Sequence, residues 1–232
     1  MKFTVITLFP ELFPGTLGVS VPEKSLNSKW QLEVCNLRDY GKGVHKQVDD
    51  EVYGGGSGML IRPDILGNAL DDCIARSNSP YILLTSPRGI VYEQNSANFF
   101  ASSENDIIII CGRFEGVDYR IVEYYKMLEV SIGKFVLFGG EVVAMCIMES
   151  IVRLLDGVCG NDNSVKEESY ASGTKFENLM EYPQYTRPKV WNNIEVPSVL
   201  LTGNHKKIED WRLQMAVSMT EFYNNTDLFK KK

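Results

Sequence analysis

Apolar residues along the chain recur with two periods, and the alternation between those periods predicts the architecture. Residues 3–9 alternate and are β-branched, the pattern of a strand, and run into a turn over 10–15. Residues 32–36 are a second strand candidate, whereas 38–59 are polar and glycine-rich and predict a long loop. Pro63 opens a helical pattern through about residue 76 that sets Ile65, Leu66, Ala69, Leu70 and Cys73 on one face. Residues 81–84 predict a strand stopped by Thr85-Ser86-Pro87-Arg88-Gly89. Residues 107–111 predict a continuous apolar strand of the kind found inside parallel sheets. Helices are expected over 119–128 and 142–155, with a strand over 135–138 between them. Strands alternating with helices imply an α/β domain around a mostly parallel sheet. From 156 to about 173 the composition turns polar and loses periodicity, as a linker would. Residues 182–188 are extended and proline-bounded, and 209–223 read as an amphipathic helix burying Trp211, Leu213, Met215, Val217 and Phe222.

With 232 residues the chain can bury one good core and a small second domain. The net charge of −6 argues against a general nucleic-acid coat without excluding a local basic patch. Five scattered cysteines, never in C-x-x-C spacing and accompanied by two histidines only, argue against a zinc site and for a reduced, intracellular setting. Pro10, Glu11 and Pro14 break the apolar core a leader peptide would need, and no run approaches the ~20 apolar residues of a membrane span, so a cytoplasmic protein is expected.

Two segments concentrate the candidate chemistry. IIIICGRFEGVD at 107–118 and SIGKFVLFGGE at 131–141 each read as a short apolar strand ending in glycines and a carboxylate. Glycine in this pattern marks backbone that turns tightly or approaches a ligand closely, and open α/β sheets bind ligands at such strand ends. An ordinary strand–helix turn needs one glycine, so the doubling favours a site. YGGGSG at 53–58 lacks the Gly-Lys-Ser/Thr ending of a phosphate loop, and no G-x-G-x-x-G follows the first strand. A plain surface loop and a lid or RNA-facing loop fit that segment about equally, with His45, Lys46, Asp49 and Asp50 just upstream. Arg153 stands four residues after Glu149, the spacing of an ordinary ion pair. SVKEESY at 164–170 is a charged linker in which a carboxylate beside Ser169 could act as a base, although solvation is the simpler account. Tyr185-Thr186-Arg187-Pro188 and Trp211-Arg212 join aromatic rings to guanidinium groups, which stack unpaired bases as readily as they pack against each other.

TLFPELF at 7–13, VDDEVYGGGSGML at 48–60, TSPRG at 85–89, CGRFEGVD at 111–118, the SIGKFVLFGGE run, YPQYTRP at 182–188 and VPSVLLTGNH at 196–205 occur in one order over nearly the whole chain. In that order and spacing they resemble the bacterial tRNA (guanine-N1)-methyltransferases of the TrmD type. The resemblance implies a SPOUT-type α/β fold, a deep trefoil-knotted parallel sheet with a small, mostly helical C-terminal domain. It divides the chain into a catalytic domain at 1–160, a linker at 161–175 and a tRNA-binding domain at 176–232. It also implies S-adenosylmethionine as methyl donor, a homodimer with its active site at the subunit interface, and the guanosine on the 3′ side of the anticodon as target.

By the same resemblance the methyl donor lies among Leu84, Thr85, Ser86 and Pro87, and among Gly112, Arg113, Phe114, Glu115 and Gly116. Ser131, Ile132, Gly133, Phe135, Val136 and Leu137 follow, and Gly139 and Gly140 complete the set. His45, Asp49, Arg187 and Trp211 are the candidate contacts with the tRNA anticodon branch. Guanine N1 carries a proton and is a poor nucleophile until a carboxylate takes it. The family's aspartate base is matched here by Glu168, one methylene longer, with Glu167 as the fallback. Arg153 matches the arginine that stabilises charge building on guanine O6. Phe114 replaces a common tyrosine, Lys134 an acid and Ala144 a proline. Magnesium is implied as an accessory ion whose ligands stay unassigned. A ribose 2′-O-methyltransferase on the same scaffold and a non-catalytic RNA-binding protein are the competing readings.

Overall fold

The computed structural model describes residues 1–160 and 168–226, and the chain divides into two compact units, Met1–Gly160 and Asn161–Lys232. In chain order the first unit contains β1 (Lys2–Thr7), α1 (Ser20–Ser25), β2 (Gln31–Asn36), β3 (Asp49–Glu51), β4 (Met59–Ile61), α2 (Pro63–Ala75) and β5 (Tyr81–Val91). It continues through α3 (Gln94–Ala101), β6 (Ile107–Ile110), α4 (Tyr119–Tyr125), β7 (Leu128–Ser131) and α5 (Glu141–Val152). Five of these strands form one sheet in the order β2-β1-β6-β5-β7, with every neighbouring pair parallel.

The central strand explains its own sequence. Ile107 and Ile109 pack on one side with Phe3, Val5, Phe100, Ile147 and Ile151, and Ile108 and Ile110 on the other with Ile6, Leu66, Leu70 and Ile121. A strand covered on both faces has no solvent side, so four isoleucines run together without alternation. The helical face read from 63–76 is the buried one, since Ile65, Leu66, Ala69, Leu70 and Cys73 are all enclosed and Pro63 sits in the first turn. Leu70→Ala removes a fully buried side chain. The expected loss is about 2–5 kcal/mol, read in thermal denaturation as a melting temperature lower by roughly 5–20 °C. An unchanged melting curve would contradict the packing of α2 against the sheet.

Three local expectations are corrected in this unit. The supposed loop at 38–59 carries the short antiparallel pair β3–β4, with Asp49 opposite Ile61. The strand expected to stop at Leu84 continues to Val91, and its register against β7 jumps because Thr85 and Ile90 both face Val130. Ser86–Gly89 therefore bulge out of the ladder, which is how a strand accommodates Pro87 and Gly89. Residues 135–138 form no strand. All four of their side chains are exposed, with Val136 at 80% and Phe138 at 101%, so they have no sheet face to bury. The strand in that region is β7, just upstream.

The second unit holds a short hairpin of β8 (Val190–Trp191) and β9 (Ile194–Glu195), followed by α6 (His205–Asn225). The Asn204 side chain caps α6 by accepting from the Lys207 N–H at 3.1 Å. Phe176, Tyr182 and Ala216 form its small core, with Leu179, Trp211 and Met215 packed around them. Leu213, Val217 and Phe222 are exposed, a correction to the expected buried set. Trp211 and Met215 stand one helical turn apart on the packed stripe, and the other three lie off it.

Candidate active site

Chemistry collects at the irregularity within β5, where β6 and β7 end and α5 begins. The Gly112 N–H donates to Thr85 Oγ1 at 2.9 Å, and that hydroxyl donates to the Ile110 carbonyl at 3.1 Å. The Gly140 N–H donates to the Gly112 carbonyl at 2.9 Å, so the two glycine bends are joined directly. Close approach is what demands glycine here. A Cβ on Gly112 would lie 2.6 Å from the Thr85 carbonyl oxygen, and one on Gly140 would overlap Thr85 Oγ1 and sit 2.8 Å from the Gly112 nitrogen. Gly116 is different, because its φ of +118° lies in the region open to glycine alone.

A cleft opens beside these bends. Thr85, Ser86 and Pro87 from the β5 bulge form one wall. Ser131, Ile132, Gly133, Phe135, Val136 and Leu137 form another, and Gly139 and Gly140 close the end. Val130 and Val143 also line it. Neither was singled out in the sequence; Val130 lies on the unrecognised strand β7, and Val143 sits three residues past Gly140, on the helical spacing that returns a side chain toward the bend. The empty volume, open mouth included, is about 390 Å³. Ser131 Oγ donates to the Gly133 carbonyl at 2.9 Å and accepts its N–H at 3.2 Å, which fixes the turn after β7. Leu84 does not line this cleft; it is buried in the core with Ile108 and Ile110. A second hollow of about 790 Å³ shares Leu137 and is lined by Leu8, Phe9, Arg38, Arg113, Phe114, Glu115 and Phe138.

At the second hollow the half-buried Arg113 pairs with the buried Glu141. Arg113 Nε donates to Glu141 Oε1 at 3.1 Å, and Arg113 Nη2 lies 2.8 Å from Oε2. The Thr7 hydroxyl donates to the same Oε1 at 2.9 Å. Beneath the bend, burial pushes the Cys111 thiol well above its ordinary pKa, so it stays protonated and is no nucleophile.

The remaining predicted residues are described within their own units. Arg153 caps the C-terminus of α5, is half-buried, and accepts the Cys159 thiol on its carbonyl at 3.2 Å. The carboxylate of Glu149 accepts from the Thr16 hydroxyl at 3.2 Å. Glu168 opens the described part of the second unit, half-buried, with its carbonyl accepting from the Ala171 N–H at 3.3 Å. The fallback carboxylate Glu167 lies outside the described residues. In the first unit His45 is exposed in the turn bridged by Lys42 and Gln47, and Asp49 is on β3. In the second, Arg187 is exposed, the Trp211 ring lies 6.2 Å from that of Tyr185, and Arg212 stacks over Tyr182 at 4.9 Å. Among the described residues no group of three or more His, Cys, Asp or Glu side chains is placed to hold a metal ion, and no helix is long and apolar enough to cross a membrane.

A family model described as tRNA (Guanine-1)-methyltransferase TrmD matches residues 1–231. The chain is similar to the tRNA (guanine-N(1)-)-methyltransferase of Anaplasma phagocytophilum (strain HZ), at 47% identity over 221 residues, covering 95% of this chain and 92% of that one. The protein of the same name from Rickettsia prowazekii (strain Madrid E) is 42% identical over 222 residues, covering 95% of this chain and 94% of its own.

Proposed function

The chain belongs to the tRNA (guanine-N1)-methyltransferase family of the TrmD type, and on that footing we propose how its residues divide the work. It is a tRNA (guanine-N1)-methyltransferase, an enzyme class that uses S-adenosylmethionine. Its target is the guanosine on the 3′ side of the anticodon. The observation that carries the assignment of the site is the pair of glycine bends joined by the Gly140–Gly112 hydrogen bond beside the cleft. The residues fit a nucleoside-sized methyl donor. Gly139 and Gly140 line the cleft without side chains, and Ile132, Val136 and Leu137 add apolar lining. Ser86, Gly133 and the two bends are the groups that hold the donor. When bound, S-adenosylmethionine supplies an electrophilic methyl on its sulfonium centre.

The protein's own groups handle the guanine. Glu168 takes the N1 proton, turning a poor nucleophile into a competent one. Arg153 faces the negative charge that builds on O6. An unpaired loop base reaches the site at low cost because it has no helix to leave. Residues 1–160 carry the cofactor, 161–175 link, and 176–232 hold the anticodon branch, with Arg187 and Trp211 on that side and His45 and Asp49 on the catalytic side. Four consecutive exposed apolar side chains at 135–138, with half-exposed Phe114 nearby in the second hollow, support a homodimer whose interface covers the site. The deep trefoil knot of the class belongs to the same proposal, which the parallel strand order fits. Magnesium joins it without assigned ligands. Acting on tRNA, the enzyme works in the cytoplasm.

The test is tritium transfer from labelled S-adenosylmethionine to a tRNA transcript. Incorporation is expected with guanosine beside the anticodon and background counts with adenosine there. Equal incorporation into both transcripts would move the target elsewhere.

A further inference from the structure

We infer that Glu141, with Thr7, is a positioning residue for the methyl-donor pocket and acts through Arg113; this rests on the cofactor site proposed above. Glu141 opens α5 and is 2% exposed. Its Oε1 accepts from Thr7 at the end of β1 and from Arg113 after β6. The Arg113 guanidinium also donates through Nη1 to the Phe138 carbonyl at 3.2 Å and lies over the Phe9 ring, 4.3 Å from its centroid. One guanidinium therefore ties the bend after β6 to the loop before α5, and one carboxylate ties both to β1.

Stability alone does not account for this clamp. Desolvating two charges offsets most of their attraction, and a well-packed apolar pair commonly holds a fold as well. An apolar pair cannot fix a carbonyl and two backbone bends at set positions. Gly139 shows the demand. Its φ is outside the left-handed region, yet a side chain there would overlap the guanidinium and lie 2.6 Å from Glu141 Oε2. The glycine is needed to admit the clamp. Gly139 and Gly140 also line the cleft, so any shift of the clamp moves the cofactor wall. Oε2 faces the guanidinium at 2.8 Å but has no aligned hydrogen-bond donor among the described residues, so charge alone orients it. A neutral amide at this position loses that orientation.

The experiment is calorimetric titration of S-adenosylmethionine into the full chain, with thermal melting of each variant. Glu141→Gln is expected to weaken binding by about tenfold or more. The paired variant Arg113→Met with Glu141→Leu is expected to melt within a few degrees of the parent and to bind equally poorly. A smaller loss for Glu141→Gln, or tighter binding, overturns the inference, because Arg113 released from its partner would then be serving the cofactor directly. Failure of the paired variant to fold also overturns it, since the clamp would be holding the fold and not the pocket. The unsubstituted chain is the separate arm. If it binds no S-adenosylmethionine, the cofactor site itself is wrong and the inference falls with it; if it binds while the variants match it, only the inference falls.

Discussion

Glu168→Ala is expected to lower single-turnover methyl transfer by about 10²–10⁴-fold, the usual contribution of a positioned general base, while S-adenosylmethionine affinity stays near that of the parent. The proton on guanine N1 sets this expectation. Attack by N1 on a methyl group places positive charge on a ring that still holds its proton, and a carboxylate in reach removes that cost as the bond forms. Every residue lining the proposed cofactor pocket belongs to the first unit, so removing a carboxylate from the second is expected to leave it intact. Glu168→Gln should be as inactive as the alanine variant, because the amide keeps the size and loses the basicity. Glu168→Asp should recover most of the rate, since the carboxylate is kept and only retreats by one methylene. Single-turnover rates and calorimetry on the three variants separate the roles. Full activity in Glu168→Ala would remove this residue from the mechanism, leaving Glu167 as the nearest candidate in sequence.

Much of the architecture was legible in local sequence because its cause is local. The face of α2 is legible since burial of one helical stripe imposes its spacing directly, and β6 since burial on both sides leaves only isoleucine. The misread segments have causes outside the local pattern. Residues 135–138 carry strand-like apolar side chains that the first unit leaves exposed, and an apolar run gives no sign of whether its partner is a sheet or another surface. Pro87 and Gly89 are stop signals in sequence but occupy a bulge within β5, where the register jump lets the strand resume. Phe222 and Leu213 look as core-like as Trp211 until the small size of the second core decides which stripe of α6 is covered. The two glycine bends were legible as places of close backbone approach, but their hydrogen-bonded contact was not. Neither was the part played by Glu141, whose partners lie 28 and 134 positions away in the chain.

Gly140→Ala should abolish measurable S-adenosylmethionine binding and, with it, methyl transfer. This position separates two reasons for a glycine. Its φ of −86° and ψ of −2° suit any residue, so alanine introduces no backbone strain. The added Cβ nevertheless overlaps Thr85 Oγ1 and falls 2.8 Å from the Gly112 nitrogen, which is backbone and cannot swing aside. Relief requires the bend before α5 to back away from the bend after β6. That movement breaks the Gly140–Gly112 hydrogen bond and opens the end of the cleft. A displacement on the order of 1 Å at a binding site costs roughly 100-fold, enough to take an ordinary micromolar cofactor beyond the reach of calorimetry. Gly160→Ala is the control, because a Cβ there meets nothing within 4 Å and its φ lies outside the left-handed region. Thr85→Ala in the Gly140→Ala background should recover only part of the affinity, since it removes the hydroxyl but leaves the Gly112 nitrogen and the Thr85 Cβ, which sits 2.9 Å from the added methyl. Parental binding by Gly140→Ala would mean that the two bends can separate without consequence, and the cofactor would then have to be held by some other part of the chain.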